Sequence, residues 1–262
     1  MVMTSETQST RMENWLASYF EGIAALNAGA YKKAVYEFEN AVEIARHLEL
    51  ADPLTDTLVL LGDALRLLGQ FEEAERTLWR AIDYSFVHWD VNRVPYGFSL
   101  GALGRLYMDQ DRYEKAIWSL EWASSMLRHH RASAEPEYLS VFFALIICYL
   151  QMDEDRKADK LSRYTYDLSK LLVGPNDAAS VVALAMCSGC SERLGNLRRA
   201  KVLHYQLLLI MQDQKASITS DELGIIAVLD ALRTDGFIGP IAAVARPTSI
   251  PALRRYPNQS SP

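Results

Sequence analysis

The chain has 262 residues, 50% of them apolar and 10% aromatic, with a formal net charge of −6 at pH 7. This composition excludes disorder throughout and allows a sizeable core. The acidic balance gives no support to nucleic-acid or anionic-membrane binding, which need a basic excess.

The N-terminal stretch MVMTSETQSTRMENW has no charged start followed by an apolar run, so no signal peptide is expected, and residues 1–12 are expected to be a flexible segment. From residue 13 the chain is punctuated rarely. It holds 13 Gly and 9 Pro, and five of the Pro stand at position 240 or later, which favours long helices over a many-stranded sheet. The segments GAYKKAVYEFENA, GQFEEAERTLWRA and QDRYEKAIWSLEWA align with one another. An aromatic precedes an Ala by three residues (Tyr31/Ala34, Phe71/Ala74, Tyr113/Ala116). A large apolar residue follows each Ala by four (Phe38, Leu78, Leu120), and a second Ala follows by seven (Ala41, Ala81, Ala123). A Gly stands twelve residues upstream in each copy, at Gly22, Gly62 and Gly104. Weaker copies centre on Ala158 and Ala200, so the anchors recur at intervals of 40 and then 42 residues. Pro53, Pro95, Pro136 and Pro175 recur near unit ends, where Pro stops one helix and can open the next.

The pattern predicts helix pairs over 13–28/31–48, 55–68/71–87, 96–109/112–130, 137–151/154–172 and 178–194/197–214. Small residues let paired helices approach, large ones fill the space around them, and stacking buries what one hairpin cannot. The fourth unit keeps its Ala but loses the aromatic and both later marks, so its packing is expected to be less strict. Ser220-Asp221 reads as an N-cap opening one more helix, 221–234, that closes the last apolar face. The domain is thus expected over 13–235, with 236–262 a Pro-rich flexible tail.

These residues resemble the tetratricopeptide-repeat family over roughly residues 13–215. The family's usual period is about 34 residues; the longer unit here is similar to the repeats of kinesin light chains and of bacterial peptide-sensing regulators. The resemblance implies an all-α, right-handed superhelical solenoid with a concave groove lined by first helices. It implies a non-catalytic scaffold or adaptor that binds a partner peptide or helix. Two other roles belong to similar proteins: chaperone for a secretion or assembly client, and regulatory or sensory subunit acting on a separate chain.

By register the groove is expected to hold Tyr19, Ile23 and Asn27 from the first unit and Asp56, Asp63 and Arg66 from the second. Phe98, Arg105, Met108 and Asp109 come from the third, Phe143 and Ile147 from the fourth, and Glu192 and Arg193 from the fifth. Relatives that clamp a chaperone's terminal carboxylate use Lys, Asn and Arg in successive first helices; Tyr19, Ile23, Leu60, Phe98 and Ala102 stand here instead, so no such clamp is expected.

No other motif carries chemistry. Cys187-Ser-Gly-Cys190 falls inside a helix rather than at its start, where a redox pair needs its thiol activated, and no second ligand pair completes a zinc site. The adjacent His129 and His130 point about 100° apart on a helix, which does not suit a metal. No phosphate loop, nucleophile elbow or HExxH occurs. No catalytic residue, metal or cofactor is therefore expected. Three Cys make no disulfide framework, and no apolar run reaches the length of a membrane span, so a cytoplasmic protein without membrane insertion is expected. Trp79, Trp89, Trp118 and Trp122 either fill interfaces between the long helices or project from the convex face. The second alternative, like exchange of the tail, offers a route to a homo-oligomer.

Overall fold

The computed structural model describes residues 5–48, 51–87, 94–128 and 136–213. Among them ten helices follow in chain order: α1 (Ser5–Asn27), α2 (Tyr31–Leu48), α3 (Ala51–Leu67), α4 (Phe71–Val87), α5 (Val94–Asp109), α6 (Tyr113–Arg128), α7 (Pro136–Gln151), α8 (Asp155–Leu172), α9 (Ala178–Arg193) and α10 (Leu197–Asp213). No strand occurs among the described residues. The expected helix 221–234 and tail 236–262 lie outside them, as do Trp89, His129 and His130.

The helices pair as the repeat predicts, but α1 and α3 begin a turn or more earlier. α1 runs from Ser5 rather than residue 13. Its extra residues hold no Gly or Pro, and extending an existing helix avoids the cost of a new nucleus. α3 starts at Ala51 rather than residue 55, with Pro53 in its first turn. Pro95 and Pro136 likewise stand at the starts of α5 and α7. A first-turn residue has no helical partner for its N–H, so the missing donor costs nothing there.

Every hairpin turns the same way. Five residues before each anchoring Ala the backbone is left-handed, at Gly29, Gly69, Asp111, Asp153 and Gly195, with φ between 55° and 81°. In each turn that residue's N–H bonds the carbonyl three back and the next N–H bonds the carbonyl five back, as in Gly69 N to Arg66 O and Gln70 N to Leu65 O. These bonds satisfy carbonyls that a helix end leaves open. Asp serves in two of the turns because its short polar side chain tolerates this conformation better than most. The fourth unit closes with the same bonds, Asp153 N to Leu150 O and Glu154 N to Tyr149 O.

Within the first three hairpins, Gly faces the large apolar residue of the partner helix. A Cβ on Gly22 would stand 2.6 Å from Phe38, and one on Gly62 or Gly104 would stand 2.5 Å from Leu78 or Leu120. Gly101 serves a different contact: a Cβ there would meet Val141 of α7 at 2.7 Å, so it lets successive units approach. The anchors Ala34, Ala74, Ala116 and Ala158 are all fully buried. The fourth unit is therefore packed as tightly at its anchor as the others, against the expectation from its lost marks. Ala158→Leu is expected to destabilise by about 1–3 kcal/mol, no less than Ala74→Leu; thermal or denaturant unfolding of the two variants checks this.

The stacking sets the curvature. First helices touch one another (α1 with α3, α3 with α5, α5 with α7), whereas the close contacts of second helices are chiefly with first helices. A stack whose first helices are closer together bends around them. They therefore form the inner face of a right-handed solenoid.

Candidate functional site on the inner face

The N-terminal end of this face is aromatic. Trp15 is fully buried, and its Nε1 donates to Thr57 Oγ1 at 3.1 Å, tying α1 to α3. Thr57 Oγ1 in turn donates to Pro53 O. Tyr19 packs on Trp15 with the rings tilted and 5.0 Å between centroids, and meets Phe38 edge-on at 6.4 Å. Ile23 is buried beside this cluster, while Asn27 is exposed. Sequence reasoning left Trp15 out, since its only mark is its position in the first helix.

At the centre four expected residues meet. Arg66 Nε donates to Asp63 Oδ1 at 3.1 Å and its Nη1 donates to Asp109. Arg105 Nη2 donates to the other oxygen of Asp63 at 2.6 Å. These four side chains are between 11% and 22% exposed, so the network lies at the surface without being open to it. Asp63 thus sits between two guanidinium groups. Burial alone would raise its pKa and is the largest influence, but Arg105 and Arg66 together outweigh it and hold the carboxyl below its ordinary value. The partners are about one repeat apart, 42 residues for Asp63 and Arg105 and 43 for Arg66 and Asp109. Opposite charges one period apart on first helices are a signal the sequence offers. Ser140 of α7, which carries no such mark, stands 3.5 Å from Arg105 Nη1.

Of the other expected groove residues, Phe98, Met108, Phe143 and Ile147 are buried on α5 and α7. Asp56 is half-buried on α3. The fifth unit does not join the cluster. Arg193 reaches back to the fourth turn, donating from Nε to Asp155 at 2.6 Å and from Nη2 to Asp153 at 2.8 Å, while Glu192 is exposed.

Cys187 and Cys190 lie inside α9 and are buried. Burial pushes their thiols up to about 11 and about 12, the reverse of what a redox or nucleophilic cysteine needs. Among the described residues no three His, Cys, Asp or Glu side chains converge as a metal site, and no helix is long and apolar enough to cross a membrane. On the second helices Trp79, Trp118 and Trp122 are about half exposed, and the last two rings lie 6.4 Å apart.

A tetratricopeptide-repeat model matches residues 55–88, which span α3 and α4. No curated protein sequence matches the chain. Among solved structures, the chain is similar to a putative kinesin light chain of Podosopora anserina with nearly identical TPR-like repeats, at 17% identity and a TM-score of 0.61, over 77% of this chain and 96% of that one. It is similar to BtubC (BKLC) from P. vanneervenii at 19% identity and a TM-score of 0.65, over 83% and 89%. A third likeness is to the Rap conjugation gene regulator of the plasmid pLS20, solved with the Phr* peptide, at 16% identity and a TM-score of 0.62. It covers 92% of this chain but 64% of that one. The repeat geometry, the matched unit and these likenesses together show a tetratricopeptide-type solenoid fold built from long repeats.

Proposed function

We propose that the protein is a non-catalytic scaffold that holds a peptide or helix of a partner protein against the inner face of its solenoid, without nucleic acid or cofactor. The observation that carries this reading is the central network. Asp63, Arg66, Arg105 and Asp109 present part-exposed donors and acceptors in fixed positions on a curved surface whose N-terminal end is aromatic. Rigid polar groups beside apolar anchors suit recognition of a segment with both characters, because their positions need not be ordered on binding. Similarity to a regulator solved with a peptide favours the same use of the fold. Three cysteines kept as buried free thiols fit a reducing compartment such as the cytoplasm.

The test is selection of a displayed peptide library on the purified chain. Selected peptides are expected to lose roughly tenfold or more affinity for Val59→Glu, at a half-buried position that shares a face of α3 with Asp56 and Asp63, and none for Trp118→Ala on the outer face. Peptides that ignore Val59→Glu and fail on Trp118→Ala would move the binding surface to the second helices.

A further inference from the structure

The two ends of the stack differ from its interior, and the repeat register shows where. In a second helix, the residues one, five and eight places after the anchoring Ala, with the one three before it, lie within about 80° of one another. In the interior this face meets the next unit. Tyr107 Oη of α5 donates to Glu75 of α4 at 2.7 Å, and Tyr149 Oη of α7 donates to Glu121 of α6 at 2.6 Å. On α10 the same four positions are Leu197, Lys201, Tyr205 and Leu208, and all are exposed. Leu208 is 48% exposed, whereas Val42, Ile82 and Ser124, its counterparts in the first three units, are buried. α1 shows the converse. Glu21, one place before Gly22, is exposed, while its counterparts Leu61 and Leu103 are buried. Asn14, Ala17 and Ala24 share its face and are exposed with it.

We propose that these two ends fit each other, so that α10 of one copy receives α1 of a second and the stack continues head to tail. Size is complementary, since Tyr205 and Leu208 are large where Ala17 and Ala24 are small. Charge is complementary too: Arg198 and Lys201 are exposed on α10, Glu13 and Glu21 on α1. The register agrees. Along two antiparallel helices, a step forward on one is matched by an equal step back on the other. Glu75 stands one after its Ala and meets Tyr107, three after its Gly. Tyr205, five after its Ala, therefore falls opposite the residue one before Gly22, which is Glu21 of the next copy. The tyrosine–carboxylate pair of the interior junctions recurs there with its members exchanged. A contact between unlike ends does not close on itself unless its rotation happens to make a ring, so the assembly grows by whole copies. It leaves the inner face open and is independent of any peptide held there.

Sedimentation velocity of the full chain over a concentration series tests this. Wild type is expected to form species that grow past the dimer with concentration and shorten as salt is raised. Leu208→Asp blocks one end and Ala17→Arg the other, and each is expected to weaken self-association roughly tenfold or more while keeping wild-type helix content by circular dichroism. Mixed together, the two variants should form one-to-one dimers that grow no further, because each retains the end the other lacks. Wild type that stays monomeric throughout overturns the proposal and leaves the α10 face to the chain's own remaining residues or to an unlike partner. Dimers of Ala17→Arg alone overturn it in favour of a symmetric contact between two α10 faces, and a mixture that stays monomeric overturns it outright.

Discussion

Gly62→Ala is expected to destabilise the solenoid by about 1–3 kcal/mol, although Ala is the better helix former. The added methyl would stand 2.5 Å from Leu78 Cδ2, and Leu78 is itself fully buried, so it has nowhere to turn. Two terms oppose each other. Helix propensity favours Ala over Gly by about 1 kcal/mol, while overpacking a closed contact costs about 1–3 kcal/mol and more where the neighbour cannot yield. The contact wins. The identity of that contact is tested by a double-mutant cycle with Leu78→Ala: the pair should be less destabilised than the sum of the two changes by more than about 1 kcal/mol. Additive effects would mean that the methyl is accommodated elsewhere. Gly69→Ala offers the contrast. Its φ is +81° and a Cβ there meets nothing within 4 Å, so it should lose about 1 kcal/mol from backbone strain alone and show no coupling to Leu78.

Asp63→Asn is expected to cost about 2–4 kcal/mol, near the lower end for a buried pair because the site is not fully closed. The substitution keeps the shape and removes the charge, leaving Arg66 and Arg105 facing a neutral amide that donates where a carboxylate accepted. The effect should depend on pH with a definite sign. Asp63 has its carboxyl pKa lowered on folding, so it contributes stability above its unfolded value of about 3.9 and loses it as pH falls through the folded value. The gap between wild type and Asp63→Asn, read from chemical unfolding, should therefore be constant above about pH 5 and shrink below about pH 4. A gap that persists undiminished into acid would mean that the carboxylate's charge is not what holds the network. Because the same residue joins α3 to α5, its loss is also expected to alter the inner face on which a peptide would rest.

The sequence by itself determined the repeat. Small and large residues at fixed spacing, Gly62 with Leu78 or Gly104 with Leu120, are interlocking halves of one contact, and that contact is local to a hairpin. Local contacts between neighbouring units are nearly all a solenoid has, so pairing, turn position and stacking direction follow from one period. The weak fourth unit shows how far this goes. Its marks fade, yet Ala158 is buried and Asp153 turns the chain as Gly69 does, because the units on either side hold it in register.

What the tertiary structure decided lies between units. The register that filled the groove with Asp63, Arg66, Arg105 and Asp109 treated them as four separate groups, and only the approach of α3 and α5 joins them into a network. Arg193, placed in the groove by the same register, turns away to the fourth hairpin, drawn by two carboxylates that flank its turn. The burial of α7 from Val141 to Leu150 and of α9 from Val181 to Ser191 is likewise an inter-unit matter. A run of apolar residues in the sequence says that a helix is closed on every side, but not by what. Distance along the chain fixes the partner inside a hairpin; across the solenoid the partner is fixed by curvature, which is summed over every repeat.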